Sequence, residues 1–223
     1  MGEAIGQVLP FGIGVALSPI PIIAVVLMLV TPKARTNGPM FVIGWLVGLA
    51  IVGAIVLSIA GPSNASDQGD PADWVGILQL VLGVLLLLVA IKEFRGRPRK
   101  GEDATMPKWM GAIDAFTPVK AFGMGALLSG LNPKNLLLAV AAGAAIAQTG
   151  IPGGEQAVAY GVFALLGTVG VAIPVVIFFA MGDRAGAMLE DLKNWMAHNN
   201  AVIMCVLMLV IGAKLIGDGI SAL

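Results

Sequence analysis

Long stretches without a charged residue constrain this chain more than any other feature. Lys, Arg, Asp and Glu are absent from 4–32, 36–66, 74–91, 121–133, 135–154, 156–182 and 194–213. A helix needs about 20 residues to cross about 30 Å of hydrocarbon. The uncharged intervals therefore supply six spans, over 4–30, 38–61, 74–92, 118–148, 155–181 and 199–220. The third is near the short limit and the fourth is too long for one straight helix. Charged residues make up 12% of the chain, against about 25% in soluble domains, so this sequence could not cover a water-facing surface. A coiled coil, a disulfide scaffold, a disordered chain and a nucleic-acid binder are excluded by the same arithmetic. No signal peptide is expected, because Glu3 and no basic stretch opens the first span.

The cations set an orientation. Lys33 and Arg35 lie in loop 31–37, and Lys92, Arg95, Arg97, Arg99, Lys100 and Lys108 in the long connection 92–117. Arg184 and Lys193 lie in loop 182–198. The alternate loops, 62–73 and 149–154, hold no Lys or Arg, only Asp67, Asp70 and Asp73. The positive-inside rule then makes the basic side cytoplasmic and both termini extracytoplasmic, in the cytoplasmic (inner) membrane. Within the connection, Arg95–Gly101 reads as a flexible basic linker. Trp109, Ile113 and Phe116 fall at helical spacing opposite Lys108 and Asp114, as in an interfacial helix.

An internal repeat organises the spans. Leu17-Ser18-Pro19-Ile20 precedes Leu131-Asn132-Pro133-Lys134 by 114 residues. Gly44 and Gly53 match Gly161 and Gly170 at 117, and Leu80–Gly83 matches Leu209–Gly212 at 129. Three spans per half is an odd number, so the halves must insert with opposite orientation, the architecture of many secondary transporters. The fold class expected is an all-α membrane protein of six transmembrane helices in two inverted three-helix repeats. Residues 1–92 form the first repeat, 93–117 the basic cytoplasmic linker with its interfacial helix, and 118–223 the second.

Pro19 and Pro21 break the first span, and Pro133 breaks the fourth at the equivalent place. A proline inside a helix removes a backbone hydrogen bond, and in lipid the freed carbonyls must find partners within the protein. Ser18, Asn132 and Asn135 are the polar side chains beside the two breaks. A matched pair of interrupted helices points to a transporter's binding site, although a structural kink accounts for a single proline. Lys134 lies beside one break, near mid-span, without a carboxylate within a turn. A lysine at bilayer depth costs about 2.5–3.5 kcal/mol or more and faces a partner or a watery cavity. The substrate-binding candidates are thus Lys134, Asn132, Asn135, Pro133, Ser18, Pro19 and Pro21. Lys120 is close enough to its span's end to snorkel. Lys214 has Asp218 one turn later, which gives either a local ion pair or a proton-coupling pair.

No enzyme is expected: no nucleophile–base set, metal-ligand cluster or phosphate-cradling loop can be assembled, and the single histidine, His198, is in a loop. No catalytic residue, metal or cofactor is implied. The spans' glycines read as helix-packing positions.

Several blocks resemble the GAP family of envelope-lipid addressing proteins, within the lysine exporter (LysE) superfamily. These are Leu17–Ile22, Thr31–Arg35, Phe41–Gly48, Trp109, Asp114, Thr117-Pro118, Gly125, Asn132-Pro133-Lys134-Asn135-Leu136 and Ala141–Gly143. The resemblance implies a six-span carrier that moves an envelope lipid or glycolipid toward the cell surface. A related thiol–disulfide electron carrier uses paired intramembrane cysteines, whereas Cys205 is the one cysteine here. Together these readings give a translocator for a lipid or glycolipid with an anionic headgroup. The alternatives are a small-solute exporter for an amino acid or ion, and a non-transporting scaffold of a lipid-export complex. Membrane lipids, a second copy or partner export proteins are the associations expected; nucleic acid is not.

Overall fold

A chain this poor in charge cannot hide its apolar residues from solvent, so it turns them outward. The computed structural model describes residues 1–60, 73–97 and 108–222. Asp67 and Asp70 of the acidic loop, and the linker from Pro98 through Arg99 and Lys100 to 107, lie outside the described residues. The elements are α1 (Gly2–Ala16), α2 (Pro19–Leu29), α3 (Ala34–Ala60), α4 (Asp73–Arg95), α5 (Pro118–Gly130), α6 (Pro133–Gln148), α7 (Gly153–Met181) and α8 (Ala185–Ser221). Among the described residues no strand occurs. Two 3-10 segments, Lys108–Ala115 and Gly182–Arg184, precede α5 and α8.

Three helix starts share one device: a small polar residue in extended conformation, followed by proline. Ser18, Thr117 and Asn132 are the N-caps of α2, α5 and α6, with φ, ψ of −72°, 110°, then −94°, 163°, then −64°, 120°. Proline at the first helical position lacks only an N–H that would be unpaired there anyway. The prolines thus start new helices as much as they stop old ones. Pro10, Pro39 and Pro174, without such a cap before them, sit inside continuous helices.

Ala34–Ile59, Val75–Arg95, Gly153–Met181 and Ala185–Ser221 are each long and apolar enough to cross a membrane. The pair α1 and α2, bent by 51°, makes a fifth candidate span. The expected fourth span, 118–148, is two separate helices of 13 and 16 residues. The last helix is longer than expected: the supposed loop 182–198 is the 3-10 segment Gly182–Arg184 followed by the first part of α8, which includes His198. At 37 residues α8 measures about 55 Å, well beyond a bilayer core. The expected interfacial helix differs too: Lys108–Ala115 form a tight 3-10 helix whose Met110 and Ile113, with Phe116 just after it, are buried against the protein. The Asn37 amide holds it by donating to the Phe116 carbonyl at 3.1 Å.

The burial pattern is that of a multi-pass membrane protein. Ile43, Val47, Ile51, Ile55 and Ile59 form an exposed apolar stripe on α3, while Ser18, Gln79, Asn135 and Thr168 are buried. Glycine brings the helices together. α3 packs on α5 through Gly44, Gly48 and Gly125, where an added methyl group would strike the neighbour's backbone. α7 packs likewise on α1, with Gly170 against the Ala16 carbonyl. Gly83 of α4 and Gly212 of α8 face each other: a methyl on either would lie 2.9–3.0 Å from the other's carbonyl oxygen. Such close approach is how helices associate where lipid removes the hydrophobic driving force.

Candidate functional site

Two helix breaks meet inside the bundle. The Met1 amino group pairs with Glu155 at 3.4 Å, tying the start of α1 to the start of α7. From there α1 runs 15 residues, about 22 Å, down to Ser18. α2 carries the chain on for another 11 residues, about 16 Å. Ser18 therefore lies near mid-height. Its hydroxyl donates to Asn135 Oδ1 at 2.9 Å and accepts from Lys134 Nζ. The Asn135 amide donates to the Leu128 carbonyl at 2.9 Å, and Asn132 Oδ1 accepts from the Lys134 backbone N–H at 3.2 Å. Asn135 thus replaces a helix bond lost at the α5–α6 break and, through Ser18, fastens that break to the α1–α2 break.

A cavity of roughly 80 Å³ opens beside this junction. Of the residues proposed from sequence, Ser18, Pro19, Pro21, Asn132 and Lys134 line it. Asn135 is fully buried behind Ser18, with both ends of its amide engaged. Pro133 is exposed and fixes the start of α6. Lys134 is half-buried and its ammonium also reaches the Met204 sulfur at 3.2 Å.

Four lining residues were not among the candidates: Ile20 of α2, Glu93 of α4, and Asn200 and Met204 of α8. The register of α4 on α8, with Gly76 at Gly219 and Gly83 at Gly212, brings the end of α4 level with Met204. Because α4 is only 23 residues long, its polar end stops at the cavity instead of running past it. Glu93 is half-buried there, between exposed Lys92 and exposed Phe94 and Arg95. Glu93 and Lys134 line the same cavity, so the lysine shares it with a carboxylate after all, supplied by another helix. The near-limit length of the third span was the available signal. Asn200 Oδ1 is buried without a hydrogen-bond partner.

The proposed coupling pair lies elsewhere. Lys214 pairs with Asp218, donates to Gln7 Oε1 at 2.7 Å, and lies 5.4 Å from the centre of the Phe11 ring. Asp218 lines a second cavity of roughly 240 Å³ with Glu3, Gln7, Gln148, Thr149 and Ser221. Next to it, Gln79 and Gln148 exchange amide hydrogen bonds at 2.7 Å. Between the two cavities is an apolar layer, where Leu138 and Ile211 close on Gly14. Among the described residues no group of three His, Cys, Asp or Glu side chains is placed to hold a metal ion.

The arrangement can therefore present an ammonium, a carboxylate and amides to a ligand inside an apolar bundle, level with the polar end of α4. Searches of curated proteins and of solved structures found no match. One family model, described as Sap, sulfolipid-1-addressing protein, matches residues 8–221. That match takes in both helix breaks, the cavity and all eight helices apart from the first residues of α1, and the chain belongs to the Sap, sulfolipid-1-addressing protein family.

Proposed function

We propose that this chain is a carrier, not an enzyme, that moves a lipid or glycolipid with an anionic headgroup across the cytoplasmic membrane toward the envelope. It does so with six spans in two inverted three-helix repeats of the LysE-superfamily type, α1–α2 and α5–α6 being the broken members and both termini lying outside. Supporting the repeat is the reciprocal packing of α3 on α5 and α7 on α1. The two breaks also share one cap conformation, at Ser18-Pro19 and Asn132-Pro133. Gly83 and Gly212, matched in sequence, meet each other, as residues beside a two-fold axis must.

One observation carries the functional reading: Lys134 holds its ammonium in a cavity between the breaks with no direct ion pair. Among the described residues the ion pairs are Met1–Glu155, Lys193–Glu190 and Lys214–Asp218. A cation kept at that depth is a binding group for an anion. The family's printed description concerns a sulfolipid, which agrees with an anionic headgroup. The cavity's small volume and its opposed Lys134 and Glu93 support a second reading, an exporter of a small zwitterion such as an amino acid. Purified protein in liposomes decides between them. Labelled phosphatidylglycerol should cross faster than in protein-free vesicles, and labelled lysine or glycine should not. Amino-acid movement without lipid movement would favour the second reading. Movement of neither would leave the scaffold role.

A further inference from the structure

Glu93 is the feature the headgroup reading does not absorb, since a site built for an anion gains nothing from a carboxylate on its wall. α4 nevertheless delivers Glu93 half-buried into the cavity. Around it stand Lys134 from α6, Ser18, Pro19, Ile20 and Pro21 from the first break, and Asn132 from the second. α8 contributes Asn200 and Met204, with partly buried Cys205 next in the chain and His198 exposed. On its own helix Lys92 and Arg95 are exposed. Lys134 is thus the lining residue whose charge opposes that of Glu93.

Resting on that headgroup reading, we propose that Glu93 is the counter-charge an anionic headgroup must displace, and that it takes up one proton as each headgroup binds Lys134. In the empty cavity the carboxylate and the ammonium compensate each other. An entering anion would put two negative groups beside one ammonium in a space of about 80 Å³, too small for both to stay fully hydrated. Protonating Glu93 removes that conflict. The proton comes from the aqueous phase and sits on a carboxylate oxygen; no other bond is made or broken. The neutral carboxylic acid becomes a hydrogen-bond donor, and buried Asn200 Oδ1, which lacks a donor, lines the same wall. Headgroup loading would then be proton-linked at this cavity, independently of Lys214 and Asp218.

The test uses the full chain in a non-ionic detergent, with dioctanoyl-phosphatidylglycerol as probe and dioctanoyl-phosphatidylcholine as control. Uptake of one proton per bound lipid makes affinity fall by about tenfold per pH unit where Glu93 is ionised. Glu93→Gln should bind the probe with little pH dependence and more tightly than wild type at neutral pH, while Glu93→Asp keeps the slope. In wild-type protein alone, mixing in weak buffer should take up about one proton per lipid bound. A pH slope unchanged in Glu93→Gln, or no proton uptake by wild type, overturns the role of Glu93. Undiminished probe binding by Lys134→Ala overturns the headgroup reading itself, whatever Glu93 does.

Discussion

Asn135→Leu should loosen the junction of the two broken helices while leaving the volume of the core nearly unchanged. The side chain is fully buried, so water cannot replace what the amide provides. Leucine deletes the acceptor of the Ser18 hydroxyl and the donor to the Leu128 carbonyl. Interhelical hydrogen bonds in membrane proteins average about 0.6 kcal/mol and reach about 1.7, while a buried group left unpaired costs about 1–3 kcal/mol. Ser18 can still accept from Lys134, which limits the loss on that side. The expected destabilisation is therefore about 1–3 kcal/mol. Ser18→Ala should give less, because its removal leaves Asn135 bonded to Leu128, and the double variant should show a coupling of about 0.5 kcal/mol or more. Reversible unfolding in mixed micelles, followed by circular dichroism, measures all three. Additive effects, or an Asn135→Leu variant as stable as wild type, would refute the junction.

Other consequences are open to direct measurement. Gly83→Leu or Gly212→Leu should separate α4 from α8 and lower stability by about 1–3 kcal/mol or more through overpacking; an unshifted melting curve would contradict the contact. Asp218→Asn leaves Lys214 without its carboxylate, so the protein should melt lower, yet lipid transport should keep its pH dependence. Loss of that dependence would move the coupling from Glu93 to Asp218. In a Cys205→Ser background, cysteine at Glu155 should react with an impermeant thiol reagent from outside the cell and cysteine at Arg97 should not. Labelling at Arg97 from outside would reverse the orientation.

Much of the frame was legible because prolines and charges act locally. Ser18-Pro19 and Asn132-Pro133 reveal the breaks through a missing N–H and a capping side chain, which need no tertiary information. The Lys214–Asp218 pair follows from one helical turn. Glu93 and Asn200 were hidden because their relation to Lys134 depends on the register of α4 against α8, set by Gly76, Gly83, Gly212 and Gly219. Asn135 could be seen as polar beside a break, but not that its amide is spent on Leu128 and Ser18. The 3-10 form of residues 108–115 was equally hidden, since apolar spacing alone does not separate a membrane-facing helix from one packed on α2.

The central claim is that the Lys134 charge binds the headgroup. Ser18 keeps its bond to Asn135 when Lys134 is truncated, so alanine leaves no orphan donor and removes a costly charge from the interior. Because Glu93 loses its counter-charge in that variant, it is the double variant Lys134→Ala with Glu93→Gln that should melt within a few degrees of wild type. The decisive measurement is movement of labelled phosphatidylglycerol per folded molecule in liposomes, for wild type, Lys134→Ala and Lys134→Arg. The account predicts loss of at least about 100-fold in the alanine variant, roughly the 2.7 kcal/mol expected of a charged hydrogen-bonded contact. The arginine variant should be partly active, because its planar guanidinium offers a different donor geometry. Full lipid movement by Lys134→Ala, or loss of movement only in proportion to lost folded protein, would contradict it.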